Sequence, residues 1–284
     1  MYGETIRKIR LKKGFSQKEV YGDVISKSYA IEFEKGKHQM SANILIQVLD
    51  NISMDIDEFL FIANDYQLNE QSNYNYLYKN LANNQDIQGL ELLLRDLKSK
   101  SGKLNNIRVA EVRSRIRILK YLQEHGRYNT EAVLDGDRQV ILSYLVDVES
   151  WTLQEIQLFS NTIDFLDNDH VLVFFKRVSK LLEYYVQLEK GREIYCGMLI
   201  NLIEYTYKNK QYDSTEVLLT QLDLISKDYT DFFHRAVLKF FEGLLVMKRK
   251  DEQKGRHMAE DMIKIMIDLD QQPLARMFSL LIEE

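Results

Sequence analysis

Apolar residues recur along most of this chain at intervals of three and four, the period of a helix with one buried face. Ile6, Ile9 and Arg10 keep that spacing ahead of Lys12-Lys13-Gly14. Ser16 then precedes Gln17, Lys18 and Glu19, so Ser16 is placed as an N-cap and Glu19 completes a capping box. Val20 supplies the apolar contact of that short helix, and Gly22-Asp23 breaks it before Val24 and Ile25. Ser26 is a second N-cap, after which Ala30 and Phe33 share one face while Lys27, Ser28, Ile31 and Glu32 point elsewhere. Leu45, Val48, Leu49 and Ile52 repeat the pattern, as do Ile56, Phe59 and Leu60. Five short helices therefore account for residues 3–65.

A polar stretch at 66–74, YQLNEQSNY, reads as the junction to a second domain over 75–284. There the helical pattern runs over roughly 74–84, 86–99, 105–125, 130–147, 152–167, 170–189, 191–208, 212–227, 230–249, 252–269 and 272–282. Tyr121, Asn161, Asn201 and Phe241 lie forty residues apart, as do Leu119, Phe159, Leu199 and Lys239. The breaks QEHGRYN, DNDH, KNKQYD and KRKDEQ keep the same beat. Such a rhythm implies stacked helix pairs, a tetratricopeptide-like right-handed solenoid with units longer than the usual thirty-four residues or so. Period-two alternation between turn signals is absent, so the fold class is all-α.

Composition agrees. One Pro and twelve Gly in 284 residues are too few punctuators for hairpins or sandwiches. The single Cys196 has no partner for an internal disulfide and sits in an apolar helical pattern, which suits a reducing, cytoplasmic setting. No apolar leader opens the sequence and no run is long enough to span a bilayer, so no membrane partner is expected. The five His are scattered without ligand spacing and no Gly-rich loop is present to hold phosphate. Neither an enzyme nor a metal or cofactor site is expected.

Residues 16–36 have the spacing of a DNA-binding helix-turn-helix, two short helices joined by a tight turn. Residues 1–40 carry nine Lys/Arg against five Asp/Glu, whereas 41–65 carry five acids and no Lys or Arg. Cations thus gather on one side: Arg7, Lys8, Lys12, Lys13, Lys18, Lys27, Lys35 and Lys37 are the candidates for phosphate contact. Base reading falls to the exposed start of the second helix, where Lys27 and Ser28 have Glu32 one turn further on. So modest a positive balance calls for two copies on half-sites about one helical turn apart.

The segments IRKIRLKKGFSQKEV and ISKSYAIEFEKG resemble the Cro/phage-repressor type of helix-turn-helix. The resemblance implies an ion pair between Arg10 and Glu34, a phosphate held by Gln17, and a helix ended by Gly36. Tyr21 departs from it, since that family usually has a small residue there.

A helical solenoid has a concave face, lined by the first helix of each pair, here 105–125, 152–167, 191–208 and 230–249. Asn161 and Asn201 hold corresponding places in consecutive repeats, and an amide ladder suits an extended peptide backbone. Arg115 and Arg192 are candidates for an acidic group or a peptide carboxylate, and Tyr184 for the groove wall. Arg117 and Arg177 are weaker ones, and Trp151 reads as a packing anchor.

Both halves together, with SKSYAIEFEKG followed by LIQVLDNISMDIDEFLFI, resemble the Rgg family of Gram-positive bacterial regulators. That resemblance implies a cytoplasmic homodimeric transcription factor for quorum sensing, which binds an operator in double-stranded DNA. Its repeat domain would take an imported peptide pheromone, and RNA polymerase is a further contact to be considered. The alternative is a helix-turn-helix repressor whose repeat domain binds a protein instead of a peptide. A narrow, partly apolar trough favours the first, and a broad flat face the second.

Overall fold

The computed structural model describes residues 2–283, which form seventeen α-helices and three short 3-10 turns; among the described residues there is no strand. The chain divides between Leu77 and Tyr78 into two compact units.

The first unit holds α1 (Tyr2–Lys13), α2 (Gln17–Tyr21), α3 (Lys27–Glu34), α4 (Ala42–Asp50) and α5 (Ile56–Ala63). Its helix starts are written in the sequence. Ser16 Oγ accepts from the Glu19 amide at 3.2 Å while Glu19 Oε2 accepts from the Ser16 amide at 2.7 Å, closing the capping box. Ser26 caps α3 through the Tyr29 amide at 3.3 Å. Gly36 ends α3 with φ of 75°, a left-handed turn in which the amides of Gly36 and Lys37 bond the carbonyls of Phe33 and Glu32. Ile6, Val20, Ala30, Phe33, Val48 and Phe59 form the centre of the core. Burying each larger side chain contributes roughly 1.5–3 kcal/mol, but a core this small leaves stability sensitive to any buried polar tie.

Helix α6 (Glu70–Asn83) begins inside the stretch read as a junction, because Asn69 Oδ1 accepts from the Ser72 amide at 2.8 Å and caps it. The polarity of 66–74 therefore marks the first turns of a helix as well as a connection.

The second unit adds α7 (Ile87–Lys98), α8 (Lys103–His125), α9 (Asp135–Asp147), α10 (Leu153–Thr162), α11 (Asn168–Ser179) and α12 (Leu182–Tyr185). It continues with α13 (Glu189–Lys208), α14 (Tyr212–Ile225), α15 (Phe232–Arg249), α16 (Glu252–Asp268) and α17 (Gln272–Glu283). Helices pack on their chain neighbours, α7 on α8, α8 on α9, α13 on α14, α15 on α16 and α16 on α17. Across the pairs, α10 packs on α13 and α13 on α15. The forty-residue positions 121, 161, 201 and 241 fall on α8, α10, α13 and α15, the first helix of each pair.

Three of the expected helices are subdivided. Residues 130–132 form a 3-10 turn ahead of α9, and 163–165 form another after α10. The stretch 170–189 breaks after Ser179: the Val178 carbonyl is taken by the Leu181 amide at 2.9 Å and the Tyr195 hydroxyl at 3.0 Å, so the helical ladder stops there.

Trp151 is buried beside Phe159 and Phe174, with ring centres 5.9 and 5.2 Å away. Helices α15 and α16 meet through Gly243 and Gly255; a Cβ at Gly255 would lie 2.1 Å from the Met247 nitrogen, so their backbones touch. Among the described residues no helix is long and apolar enough to cross a membrane.

Candidate functional site

In the first unit the organising group is the Glu34 carboxylate on α3. Arg10 Nε and Nη2 donate to its two oxygens at 2.7 and 2.9 Å, Gln17 Nε2 donates at 2.9 Å and the Tyr21 hydroxyl at 3.0 Å. Arg10 Nη1 also donates to the Phe15 carbonyl at 2.9 Å. Burial works to raise the Glu34 carboxyl, yet the hydrogen bonds from Arg10, Gln17 and Tyr21 outweigh it and hold the group below its usual range. One carboxylate thereby fixes α1 and both helices of the helix-turn-helix. Tyr21, the departure from the repressor pattern, is buried and acts as a fourth donor where a small side chain has none to give.

On the outer side of that tie, Arg7, Lys18, Lys27, Ser28, Lys35 and Lys37 are exposed. Ser28 Oγ lies 3.2 Å from Ser26 Oγ at the start of α3. Glu32 is engaged by Lys35 at 2.9 Å and Lys37 at 3.0 Å, and the hydrogen bonds from these lysines hold its carboxyl down to about 2. Gln17 uses its amide on Glu34 in the free protein. A phosphate would meet it only through its remaining hydrogen.

In the second unit the candidate amides tie helices together. Asn161 Nδ2 donates to Glu111 Oε1 on α8 at 2.7 Å, while its Oδ1 accepts from Gln157 at 3.0 Å. Asn201 Nδ2 donates to the Ser160 carbonyl on α10 at 2.9 Å. The corresponding places thus join each first helix to the one before it. Arg115 is a strut of the same kind: it donates to the Tyr128 hydroxyl at 2.7 Å, the Asn161 carbonyl at 2.9 Å and the Tyr78 hydroxyl at 3.4 Å, over the face of Phe165. Arg177 donates to the carbonyls of Leu145 and Val148 and stacks on Trp151. Arg192 faces Asp231 at 3.5 Å and Asp228 at 3.8 Å, and Tyr184 on α12 is exposed.

Two cavities adjoin at Tyr128 and Lys208. The first, of about 530 Å³, is lined by residues at the ends of α8, α10, α13 and α15, among them Tyr128, Asp164, Tyr205, Lys208 and Lys248. The second, of about 210 Å³, is walled by α8, α13 and α17 through Leu122, Glu204, Met277 and Leu281. Lys208 pairs with Glu204 at 2.5 Å and lies 4.6 Å from the centre of the Tyr128 ring. Asp164 accepts from the Tyr128 hydroxyl at 3.2 Å; burial and the nearby Glu204 charge push its carboxyl up, against the pull of Lys208 and Arg115. None of Asn161, Asn201, Arg115, Arg192 and Tyr184 lines either cavity.

Residues 91–280 match the family model for the C-terminal domain of the HTH-type transcriptional regulator Rgg. The chain belongs to the Rgg family. Its fold is similar over nearly its full length to that of a Listeria monocytogenes EGD-e protein assigned as a transcriptional regulator. That pair is 29% identical with a TM-score of 0.85, covering 99% of this chain and 96% of that one. It is also similar to the SHP pheromone receptor Rgg2 of Streptococcus dysgalactiae, at 18% identity and a TM-score of 0.72, over 100% of this chain and 99% of that one. The PrgX structure in complex with cCF10 matches at 12% identity and a TM-score of 0.68, over 99% of this chain and 98% of that one. The Rgg family is one of transcriptional regulators, not enzymes.

Within this Rgg-family chain, sequence reasoning passed over Tyr128, Asp164 and Lys208. Tyr128 and Lys208 sit in the breaks QEHGRYN and KNKQYD, and Asp164 three residues before DNDH. The signal was present in the forty-residue register of those breaks, which stacks helix ends beside one another.

Proposed function

We propose that this protein is a sequence-specific DNA-binding regulator whose second unit takes a small peptide, and that the peptide alters its action at a promoter. The paired cavities meeting at Tyr128 and Lys208 carry the sensing half: they form a partly apolar trough with cationic and hydroxyl groups at its centre. Such a lining suits a short peptide better than a broad protein face. The pheromone receptors Rgg2 and PrgX, which share the fold, support the same reading. In the first unit, the Glu34 tie presents Lys27 and Ser28 outward at the start of α3, with Arg7, Lys18, Lys35 and Lys37 as phosphate contacts. Two copies of the chain on adjacent half-sites complete the proposed complex, in the cytoplasm and within reach of RNA polymerase.

The peptide acts only through a difference in affinity between two arrangements of the protein. The test is direct: select an operator from random duplex DNA, then titrate it by fluorescence anisotropy with and without a peptide fraction from culture medium. A salt-dependent affinity that shifts with the peptide supports the reading. An affinity and transcript yield indifferent to every peptide fraction removes the sensing half, and no selected operator removes the other.

A further inference from the structure

Away from the cavities, α13 and the start of α15 bring together Cys196, Asp231 and His234, whose ligand atoms all lie within 4.8 Å of one another. Cys196 is fully buried and is the only cysteine of the chain. Asp231 ends the 3-10 turn 229–231 and stands at the N-cap position of α15, yet its side chain makes no capping hydrogen bond. Instead Oδ1 meets His234 Nδ1 at 3.1 Å. Its Oδ2 is buried with no hydrogen-bond partner, the nearest cation being Arg192 Nη1 at 3.5 Å; the side chain is 7% exposed. Asp231 neither caps its helix nor hydrogen-bonds through Oδ2; the Arg192 ion pair and the His234 contact hold it beside the Cys196 thiol.

We propose that Cys196, Asp231 and His234 form a structural site for a divalent ion of the zinc class. One thiolate, one imidazole and one carboxylate are the donor types such ions take, and three protein ligands leave a fourth coordination position to a water molecule. Tetrahedral bonds of about 2.0–2.3 Å place ligand atoms roughly 3.3–3.8 Å apart, so the cluster closes around an ion by a small contraction. Binding replaces the thiol proton: the S–H bond breaks, the sulfur lone pair goes to the metal, and one proton leaves to solvent. Arg192 retains Asp228 as its partner when the ion takes Asp231. The bound ion clips α13 to the α14–α15 connection, two neighbouring layers of the stack.

The full-length protein, reduced and stripped of metal, is titrated with Co²⁺. The expected result is one equivalent bound with a thiolate-to-cobalt charge-transfer band, displaced by Zn²⁺, and release of one proton per ion in weak buffer. Only Cys196 can give that band, whereas the other histidines bind cobalt without it. Cys196→Ser abolishes the band, and His234→Gln and Asp231→Asn each weaken binding by roughly tenfold or more. Absence of the band at saturating Co²⁺ overturns the site, as does a band of undiminished affinity in both His234→Gln and Asp231→Asn. These two variants carry the decision if Cys196→Ser does not fold.

Discussion

Each unit sets a carboxylate among polar partners, Glu34 buried and Asp164 half-buried, and they treat it in opposite ways. Glu34 receives four hydrogen bonds from three side chains and is held ionised below its usual range. Asp164 accepts from Tyr128, stands near the Glu204 charge, and is pushed toward its neutral form. In the first unit a charge locks three short helices whose apolar core is small. In the second the core is large, and the polar group lines a cavity. One carboxylate ties helices through their charge, and the other stands at a cavity wall where its charge is disfavoured.

Four substitutions sharpen or break this contrast. Glu34→Gln leaves Arg10 buried opposite a neutral group and is expected to cost about 3–5 kcal/mol, read as lost hydrogen-exchange protection of α1 and α3. The loss shrinks as pH falls through the folded carboxyl value, because a depressed carboxylate stabilises the fold only above that value. Next in size, Arg115→Met removes the donor to Tyr128, Tyr78 and the Asn161 carbonyl and is expected to cost about 2–3 kcal/mol. Urea unfolding followed by Trp151 fluorescence measures it; an unchanged midpoint breaks the view of Arg115 as a strut.

Tyr21→Phe is expected to cost about 1 kcal/mol, and most of that cost should vanish in the Glu34→Gln background, since both changes touch one bond. Additive effects in that double-mutant cycle would separate Tyr21 from the tie. The smallest effect belongs to Asp164→Asn, and its pH dependence is opposite to that of Glu34. A carboxyl raised in the fold contributes stability below its unfolded value, about 3.9, and loses that contribution as pH rises through the folded value. The Asn variant should therefore gain on the parent as pH rises above the acid range, with thermal melts across pH as the readout. A gain toward acid instead would mean that Lys208 and Arg115 dominate Asp164.

Much of the fold was legible because its determinants are local. Ser16, Glu19, Ser26 and Gly36 act within a few residues of themselves, and the forty-residue beat named the first helix of each of four pairs. What the sequence hid were partners far along the chain. Asn161 and Asn201 were read as equivalent, yet their acceptors lie 50 and 41 residues upstream, and nothing in the local pattern distinguishes a groove amide from a tie between helices. The cavity was hidden for another reason: its lining comes from polar helix ends, which look like punctuation in sequence and become a surface only when layers stack. Tyr21 shows the converse, a misfit to a family pattern that becomes a fourth donor once α2 meets α3.

The glycine contact between α15 and α16 has a mechanical consequence. Where Gly243 and Gly255 bring backbone against backbone, neither helix can slide past the other without collision, so this last pair forms a rigid anvil. Gly255→Ala would wedge the anvil open, since its Cβ would lie 2.1 Å from the Met247 nitrogen.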